Sequence, residues 1–253
     1  MTLKEKSYLI TGASSGIGKA IALRLASKSH TLKLIARRKD KLDLLYNDLI
    51  KINPKLKIDL IVQDINDPHF ISFLKDHHHL DVGTLISNAG IAVGKDYVEN
   101  ANWDDLEKMI QTNFLSLVKL THAVLPVMKK NGFGDILHVS SISGHQTYVG
   151  GAVYAATKHA VHAFTKALRE ETCGQNIRVM QISPGMVETE FSLNRFNQDE
   201  QKARQVYEGM TPLKAEDIAR HVDFMLSEPR HVTIDELTTT PIDQGSVNTV
   251  RRS

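Results

Sequence analysis

The sequence predicts an α/β protein with a doubly wound, mainly parallel sheet of roughly seven strands and helices on both faces. Short apolar runs alternate with longer helical patterns along the 253 residues, as βαβ units require. The first run leads directly into a glycine-rich turn, Thr11-Gly12-Ala13-Ser14-Ser15-Gly16-Ile17-Gly18, that opens a helical pattern. No Pro- or Ser-rich linker and no repeat interrupts the chain, so residues 1–253 read as a single domain.

Taken in order, Tyr8-Leu9-Ile10 is the first strand and Leu32 to Ala36 the second. Ile58 to Val62 is the third, Thr84 to Ser87 the fourth and Asp135 to Val139 the fifth. Ile177 to Ile182 is the sixth, and Ile234 to Thr240 a seventh. Lys19 to Ser27 and Trp103 to Lys129 are expected helices. The segment from Glu190 to Gly209 is polar and helix-prone and breaks the strand rhythm. It is expected to be a lid over a site, with a plain pair of surface helices as the alternative.

Composition narrows the class. Apolar residues make up 42% and charged residues 24%, ordinary for a globular protein, and the formal net charge is +2. Lys and Arg are scattered, with no basic stripe interleaved with aromatics, so a nucleic-acid partner is not expected. One cysteine, Cys173, cannot form an internal disulfide. No apolar run approaches the ~20 residues of a membrane helix, and the start lacks the apolar core of a signal peptide. The expected setting is the cytoplasm, with no membrane partner.

Gly12, Gly16 and Gly18 follow a strand and precede a helix, where glycine lets the backbone approach a pyrophosphate and the helix N-terminus offers free N–H groups. An NAD site usually carries an acidic residue at the tip of the second strand. Here the strand ends Ile35-Ala36-Arg37-Arg38, and arginine suits a 2′-phosphate, so NADP is the predicted cofactor. Asp64, after the third strand, is placed to accept from an adenine amino group or to serve as a turn residue. Asn88-Ala89-Gly90 would put small residues beside the cofactor, or form a turn.

Tyr154 and Lys158, four apart, share a helix face, and Ser141 ends the fifth strand upstream of them. A free phenol has a pKa near ~10, and a neighbouring ammonium is expected to lower it toward working pH. Asn113 interrupts an otherwise apolar helical stretch, where Asn is unfavourable by propensity; it holds a water or bends the helix there, or is simply exposed.

As a set these residues are specific. The chain resembles the short-chain dehydrogenase/reductase family over nearly its whole length: Thr11 to Gly18, Asp64, Asn88-Ala89-Gly90, Asn113, Ser141, Tyr154, Lys158 and Pro184-Gly185. The resemblance implies a Rossmann-type fold and hydride transfer between a nicotinamide and a carbonyl or alcohol. It makes Tyr154 the acid/base and Ser141 the group that orients the substrate oxygen. Lys158 would bind the nicotinamide ribose and lower the Tyr154 pKa, and Asn113 would assist a water-mediated proton relay. The cofactor residues it implies are Gly12, Ser14, Ser15, Gly16, Ile17, Gly18, Arg37, Arg38, Asp64, Ile65, Asn88, Ala89, Gly90, Tyr154, Lys158, Pro184, Gly185, Val187 and Thr189. A homotetramer or homodimer is the implied assembly. Ser87 stands where many members have a second Asn, a substitution conservative in size.

The ending from Ile234 to Pro241, with Thr189-Glu190-Phe191-Ser192-Leu193-Asn194-Arg195-Phe196, is similar to the NADP-dependent 3-hydroxy acid (serine) dehydrogenase branch. The leading expectation is therefore oxidation of small 3-hydroxy acids such as serine, or reduction of the matching carbonyls. Arg195 is the candidate for a substrate carboxylate, the alternative being a surface residue of the lid. Ser141, His145 and Gln146 are the other candidate substrate residues. Competing readings are a broad carbonyl reductase for neutral ketones, aldehydes or steroids, and an NADP(H)-sensing protein without turnover. The run His77-His78-His79 lacks an accompanying ligand framework, so no metal is expected.

Overall fold

The computed structural model describes residues 6–253. In chain order the strands are β1 (Ser7–Thr11), β2 (Thr31–Ala36), β3 (Lys57–Val62), β4 (Thr84–Ser87), β5 (Gly134–Val139), β6 (Ile177–Pro184), β7 (Val187–Glu188), β8 (Leu213–Lys214) and β9 (Glu236–Thr239). The helices are α1 (Gly16–Leu25), α2 (Lys39–Ile52), α3 (Phe70–Asp76), α4 (Trp103–Ile110), α5 (Ser116–Asn131), α6 (Ala152–Glu171), α7 (Glu190–Arg195), α8 (Glu200–Gln205) and α9 (Ala215–Ser227). Seven strands form one parallel sheet in the order β3-β2-β1-β4-β5-β6-β9. The strand order reverses between β1 and β4, which opens a crevice at their carboxyl ends.

Side-chain alternation along the strands explains the two layers of helix. Tyr8 and Ile10 of β1, Leu34 of β2 and Met180 of β6 point to one face, under Ile21 and Leu25 of α1, Leu45 of α2 and Val222 of α9. Leu9, Ile35, Leu85, Ile136 and Val179 point to the other, against Leu74 of α3, Val124 and Met128 of α5 and Leu168 of α6. Strands buried on both faces read as continuous apolar runs, which is why they were visible in the sequence.

Three features differ from the sequence reading. The helix expected from Trp103 to Lys129 is broken by a π turn over Gln111–Leu115, between α4 and α5. Asn113 lies within that turn, buried, so its poor helix propensity is matched by a widened helical turn. The helix expected at Lys19–Ser27 begins instead at Gly16, straight off the glycine turn. β7 and β8 pair as a separate two-stranded sheet that brackets the segment carrying α7 and α8. No described helix is long and apolar enough to cross a membrane.

Candidate active site

The carboxyl ends of the central strands open into a cleft of about 980 Å³. Its floor is fastened by Thr11 and Asn88 across the strand-order reversal. The Thr11 hydroxyl accepts from the Asn88 and Ala89 backbone N–H groups, both at 3.0 Å, and Asn88 Nδ2 donates to the Thr11 carbonyl at 2.9 Å. Asn88 thus acts on the chain, and its side chain locks the glycine turn. Gly12 sits at φ +67°, where a Cβ would lie 2.9 Å from Asn88 Nδ2 and 3.0 Å from Ala89 Cα. Gly18 faces inward: a Cβ there would collide with the Gly12 carbonyl, so this glycine lets α1 close onto the turn and does not line the cleft. Ser14, Ser15, Gly16 and Ile17 line it, as do Ile65, Ala89 and Gly90. Pro184, Gly185, Val187 and Thr189 form the facing wall.

At one end the two arginines part company. Arg38 turns inward: Nη2 donates to Ser15 Oγ at 2.7 Å and Ser14 Oγ at 3.2 Å, and Nη1 to Glu190 at 2.8 Å. Lys41 donates to the other Glu190 oxygen. Each serine hydroxyl accepts from Arg38 and keeps its own O–H free to donate. Arg37 lies 61% exposed, with Nη1 3.6 Å from Asp64 Oδ2. Asp64 spends Oδ1 on the turn, accepting the Asn66 N–H at 2.9 Å, so the turn role and a cleft-lining position coexist in one residue.

The reacting groups gather in the middle. Tyr154 and Lys158 stand on α6, and Ser141 caps the short helical turn Ile142–Gly144 by accepting the Ser143 N–H at 3.1 Å. All three line the cleft. Burial pushes the Tyr154 phenol up to about 12; the Tyr148 hydroxyl adds to this, while Ser141 and Arg195 pull it down. Burial brings the Lys158 ammonium down to about 8. Lys158 Nζ donates to the Val139 carbonyl at 3.0 Å and lies 6.0 Å from the Tyr154 ring centroid. Burial dominates the shift of the phenol, and Lys158 is not among the groups that lower it.

Asn113 Oδ1 accepts the Ile91 N–H at 2.7 Å, and Nδ2 donates to the Ile91 carbonyl at 2.8 Å and to Thr157 Oγ1 at 3.1 Å. Three hydrogen bonds from its amide tie the loop after β4 to α6. It lies behind Gly90, whose absent Cβ would come 3.4 Å from Asn113 Oδ1 and 3.5 Å from Lys158 Nζ.

At the other end Arg195 points into the cleft. Nε donates to the Gly94 carbonyl at 3.0 Å and Nη2 to the Tyr148 hydroxyl at 2.9 Å, with the guanidinium 5.3 Å from the Tyr148 ring centroid. Nη1 has no protein acceptor among the described residues. His145 and Gln146 do not line the cleft, contrary to expectation. His145 Nε2 is drawn away to Glu236 at 2.5 Å and Ser183 Oγ at 3.3 Å. With His162 they form a His–His–Glu group whose donor atoms lie within 4.8 Å of one another, Glu236 being held by Gln181 at 3.1 Å and Ser183 at 3.2 Å. Gln146 accepts the Val247 N–H at 2.9 Å and anchors the C-terminal tail.

Sequence reasoning missed four sets of contacts. Tyr148 supports Arg195, Phe191 packs its ring 5.9 Å from that of Tyr154, and Glu190 engages Arg38. The C-terminal tail reaches the segment after α8: Arg252 Nη2 donates to the Val206 carbonyl at 3.0 Å and the Ser253 N–H to that of Gly209 at 2.9 Å. These contacts join residues far apart in the chain, and no local motif marks them.

Residues 6–200 match the family model described as short chain dehydrogenase. An NADP-dependent 3-hydroxy acid dehydrogenase from Schizosaccharomyces pombe is 44% identical, covering 99% of this chain and 98% of its own. Sulfoacetaldehyde reductase 2 from Chromohalobacter salexigens is 36% identical, with 94% of each chain covered. Among solved structures, the closed form of a serine dehydrogenase complexed with NADP+ superposes with a TM-score of 0.89 at 34% identity, over 98% of this chain and 100% of that one. With the glycine turn at the strand-order reversal and Ser141, Tyr154 and Lys158 on one cleft, the chain belongs to the short-chain dehydrogenase family.

Proposed function

We propose that the protein is an NADP(H)-dependent oxidoreductase that interconverts the alcohol and carbonyl forms of small anionic substrates, in the first place 3-hydroxy acids such as serine. The observation that carries this reading is the Arg195 guanidinium: it lines the cleft containing Tyr154 and leaves Nη1 without a protein acceptor among the described residues. Arginine pairs with planar carboxylates through two parallel N–H donors, and sulfonates offer comparable acceptors. The relatives' names support the same chemistry. A 3-hydroxy acid and sulfoacetaldehyde both carry an anionic group one carbon removed from the reacting carbon.

The cleft fits the cofactor. The glycine turn and the start of α1 suit a pyrophosphate, and Arg38, Lys41 and the free O–H groups of Ser14 and Ser15 suit a 2′-phosphate. When bound, the nicotinamide supplies the hydride acceptor or donor. Ser141 donates to the substrate oxygen and orients it. Tyr154 takes the hydroxyl proton during oxidation and returns it during reduction. Lys158, next to Gly90, would hold the nicotinamide ribose. Asn113 contributes by holding that wall in place through its three amide hydrogen bonds. The segment 190–209 acts as the lid: it places Phe191 over Tyr154 and Arg195 over the substrate end, and its far end is held by the tail.

The test follows nicotinamide absorbance with the purified protein, offering L-serine and 3-hydroxypropionate for oxidation and simple neutral ketones for reduction, with NADP(H) and NAD(H) in parallel. Turnover of the acids with NADP is expected. Turnover of neutral ketones alone would replace this reading with that of a broad carbonyl reductase. No turnover beside measurable NADP(H) binding would leave a sensing protein.

A further inference from the structure

The donors assembled at the Arg38 end already hold an anion that belongs to the chain. Glu190, the first residue of α7, presents one carboxylate oxygen to Arg38 Nη1 at 2.8 Å and the other to Lys41 Nζ. The Arg38 guanidinium simultaneously touches Ser15 Oγ at 2.7 Å and Ser14 Oγ at 3.2 Å. Of the other cations nearby, Arg37 lines the cleft but stays exposed, and Lys39 is turned along its own helix. Arg37 leans toward Asp64 at 3.6 Å, and Lys39 pairs with Asp43 at 2.6 Å along α2. Glu190 is thus a carboxylate placed where two cations and two hydroxyls converge, and the Arg38 and Lys41 bonds hold it below the usual carboxylate range, though partial burial opposes them. It remains ionised throughout the neutral range.

We propose that Glu190 is an internal competitor of the coenzyme 2′-phosphate, and so a specificity-determining residue of the cofactor site. The inference rests on the NADP reading given above. A phosphate monoester carries about −1.5 to −2 charges and three acceptor oxygens near neutral pH, against one charge and two oxygens for the carboxylate. The phosphate therefore wins Arg38 and Lys41, but only after breaking the Glu190 bonds, and any carboxylate left beside it repels it. A coenzyme with a bare 2′-hydroxyl makes no such demand, and Glu190 keeps its partners. The residue therefore weakens NADP(H) selectively. Because Glu190 begins the helix that carries Phe191 and Arg195, arrival of the phosphate also detaches the start of the lid.

The experiment titrates adenosine 2′,5′-bisphosphate and, separately, ADP into the full chain by isothermal calorimetry, so that the readout is binding and not turnover. Native protein is compared with Glu190→Gln, Glu190→Ala and Arg38→Gln. Both Glu190 variants are expected to bind the bisphosphate about tenfold more tightly, as loss of a charge-assisted competitor implies, with ADP affinity unchanged. Unchanged or weaker bisphosphate binding in both variants would overturn the proposal and make Glu190 a support for Arg38. An equal gain for both probes would overturn it too, since the cleft would merely have opened. Arg38→Gln separates this from the reading beneath it: it should lose bisphosphate but not ADP affinity. If it does not, the 2′-phosphate site itself has been misplaced.

Discussion

Lys158 donates its ammonium to the Val139 carbonyl at 3.0 Å while the ring of Tyr154, one turn earlier on α6, stands 6.0 Å away. The phenol is raised to about 12 chiefly by burial, so the site holds a protonated tyrosine throughout neutral pH. That is the form a carbonyl reduction needs, because the acid must give a proton to the substrate oxygen. Oxidation needs the opposite form, whose fraction grows as pH rises. Oxidation of the hydroxy acid should accelerate from pH 7 to pH 9 while reduction does not, as kcat/KM measured in both directions would show. A flat oxidation profile would remove Tyr154 from the proton-transfer role. Tyr154→Phe should lose activity by a factor of ~10² to 10⁴ while keeping its affinity for NADP(H).

Arg195 predicts a different kinetic signature. Its Nε and Nη2 are fixed by Gly94 and Tyr148, which leaves Nη1 for an anionic substrate. Arg195→Met keeps the length and loses the charge. KM for an acid should rise roughly 10- to 100-fold, equivalent to about 1.4–2.7 kcal/mol, while a neutral alcohol of similar size is handled as before. Tyr148→Phe removes one of the two anchors and should raise the same KM by a smaller factor. Equal effects on charged and neutral substrates would assign Arg195 a packing role in the lid.

Legibility in the sequence followed the range of the interactions. The seven sheet strands, the glycine turn and the Ser141–Tyr154–Lys158 set were readable because each is a local pattern: an apolar run, a φ-permissive triplet, a helical spacing. The π turn around Asn113 was not readable as such, since a single one-residue slip of the apolar phase between two helical stretches is too short a pattern to recognise; only the misplaced Asn signalled it. The paired arginines looked equivalent, yet Arg38 is captured by Ser14, Ser15 and Glu190 whereas Arg37 remains mostly exposed. His145 and Gln146 belong to the loop from Gly144 to Gly151 expected to line the pocket, but Glu236 and Val247, about a hundred residues away in the chain, pull them elsewhere. Partners so distant leave no local trace.

Stability rests partly on a buried charge cluster at the opposite end of the sheet. Asp135, the second residue of β5, accepts from Arg178 Nε at 2.7 Å and Nη2 at 2.9 Å, and from Arg230 Nη1 at 2.6 Å. Asp135 and Arg178 are 5% and 3% exposed. Removing one partner from such a cluster leaves uncompensated buried charge, so Asp135→Asn should cost about 3–5 kcal/mol in a denaturant titration. The reacting groups lie at the carboxyl ends of these strands, so activity per folded molecule should persist at low temperature. A loss of stability below about 1 kcal/mol would show that water reaches the pair.

His138 supplies an acid-sensitivity prediction with a definite sign. It is fully buried in β5, with Nδ1 2.8 Å from Thr165 Oγ1 and Nε2 3.2 Å from Thr121 Oγ1. Thr165 gives its own proton to the Val161 carbonyl at 2.7 Å, so its oxygen must accept, and the ring is neutral with the hydrogen on Nδ1. Burial, with a smaller contribution from the Lys158 charge, brings the imidazole down from 6.5 to about 3. Below pH 6.5 the unfolded chain therefore binds a proton that the folded chain refuses until about pH 3. Folding stability falls as pH drops through that window, by up to about 1.4 kcal/mol per pH unit, and is unaffected by this group above it. His138→Gln retains a donor and an acceptor but does not titrate. It should start less stable at pH 7, yet lose about 2 kcal/mol less than the native protein on going to pH 5 in parallel urea titrations. Equal losses in the two proteins would mean that the histidine gains its proton within the folded core, and that the Thr121 hydroxyl turns to accept from Nε2.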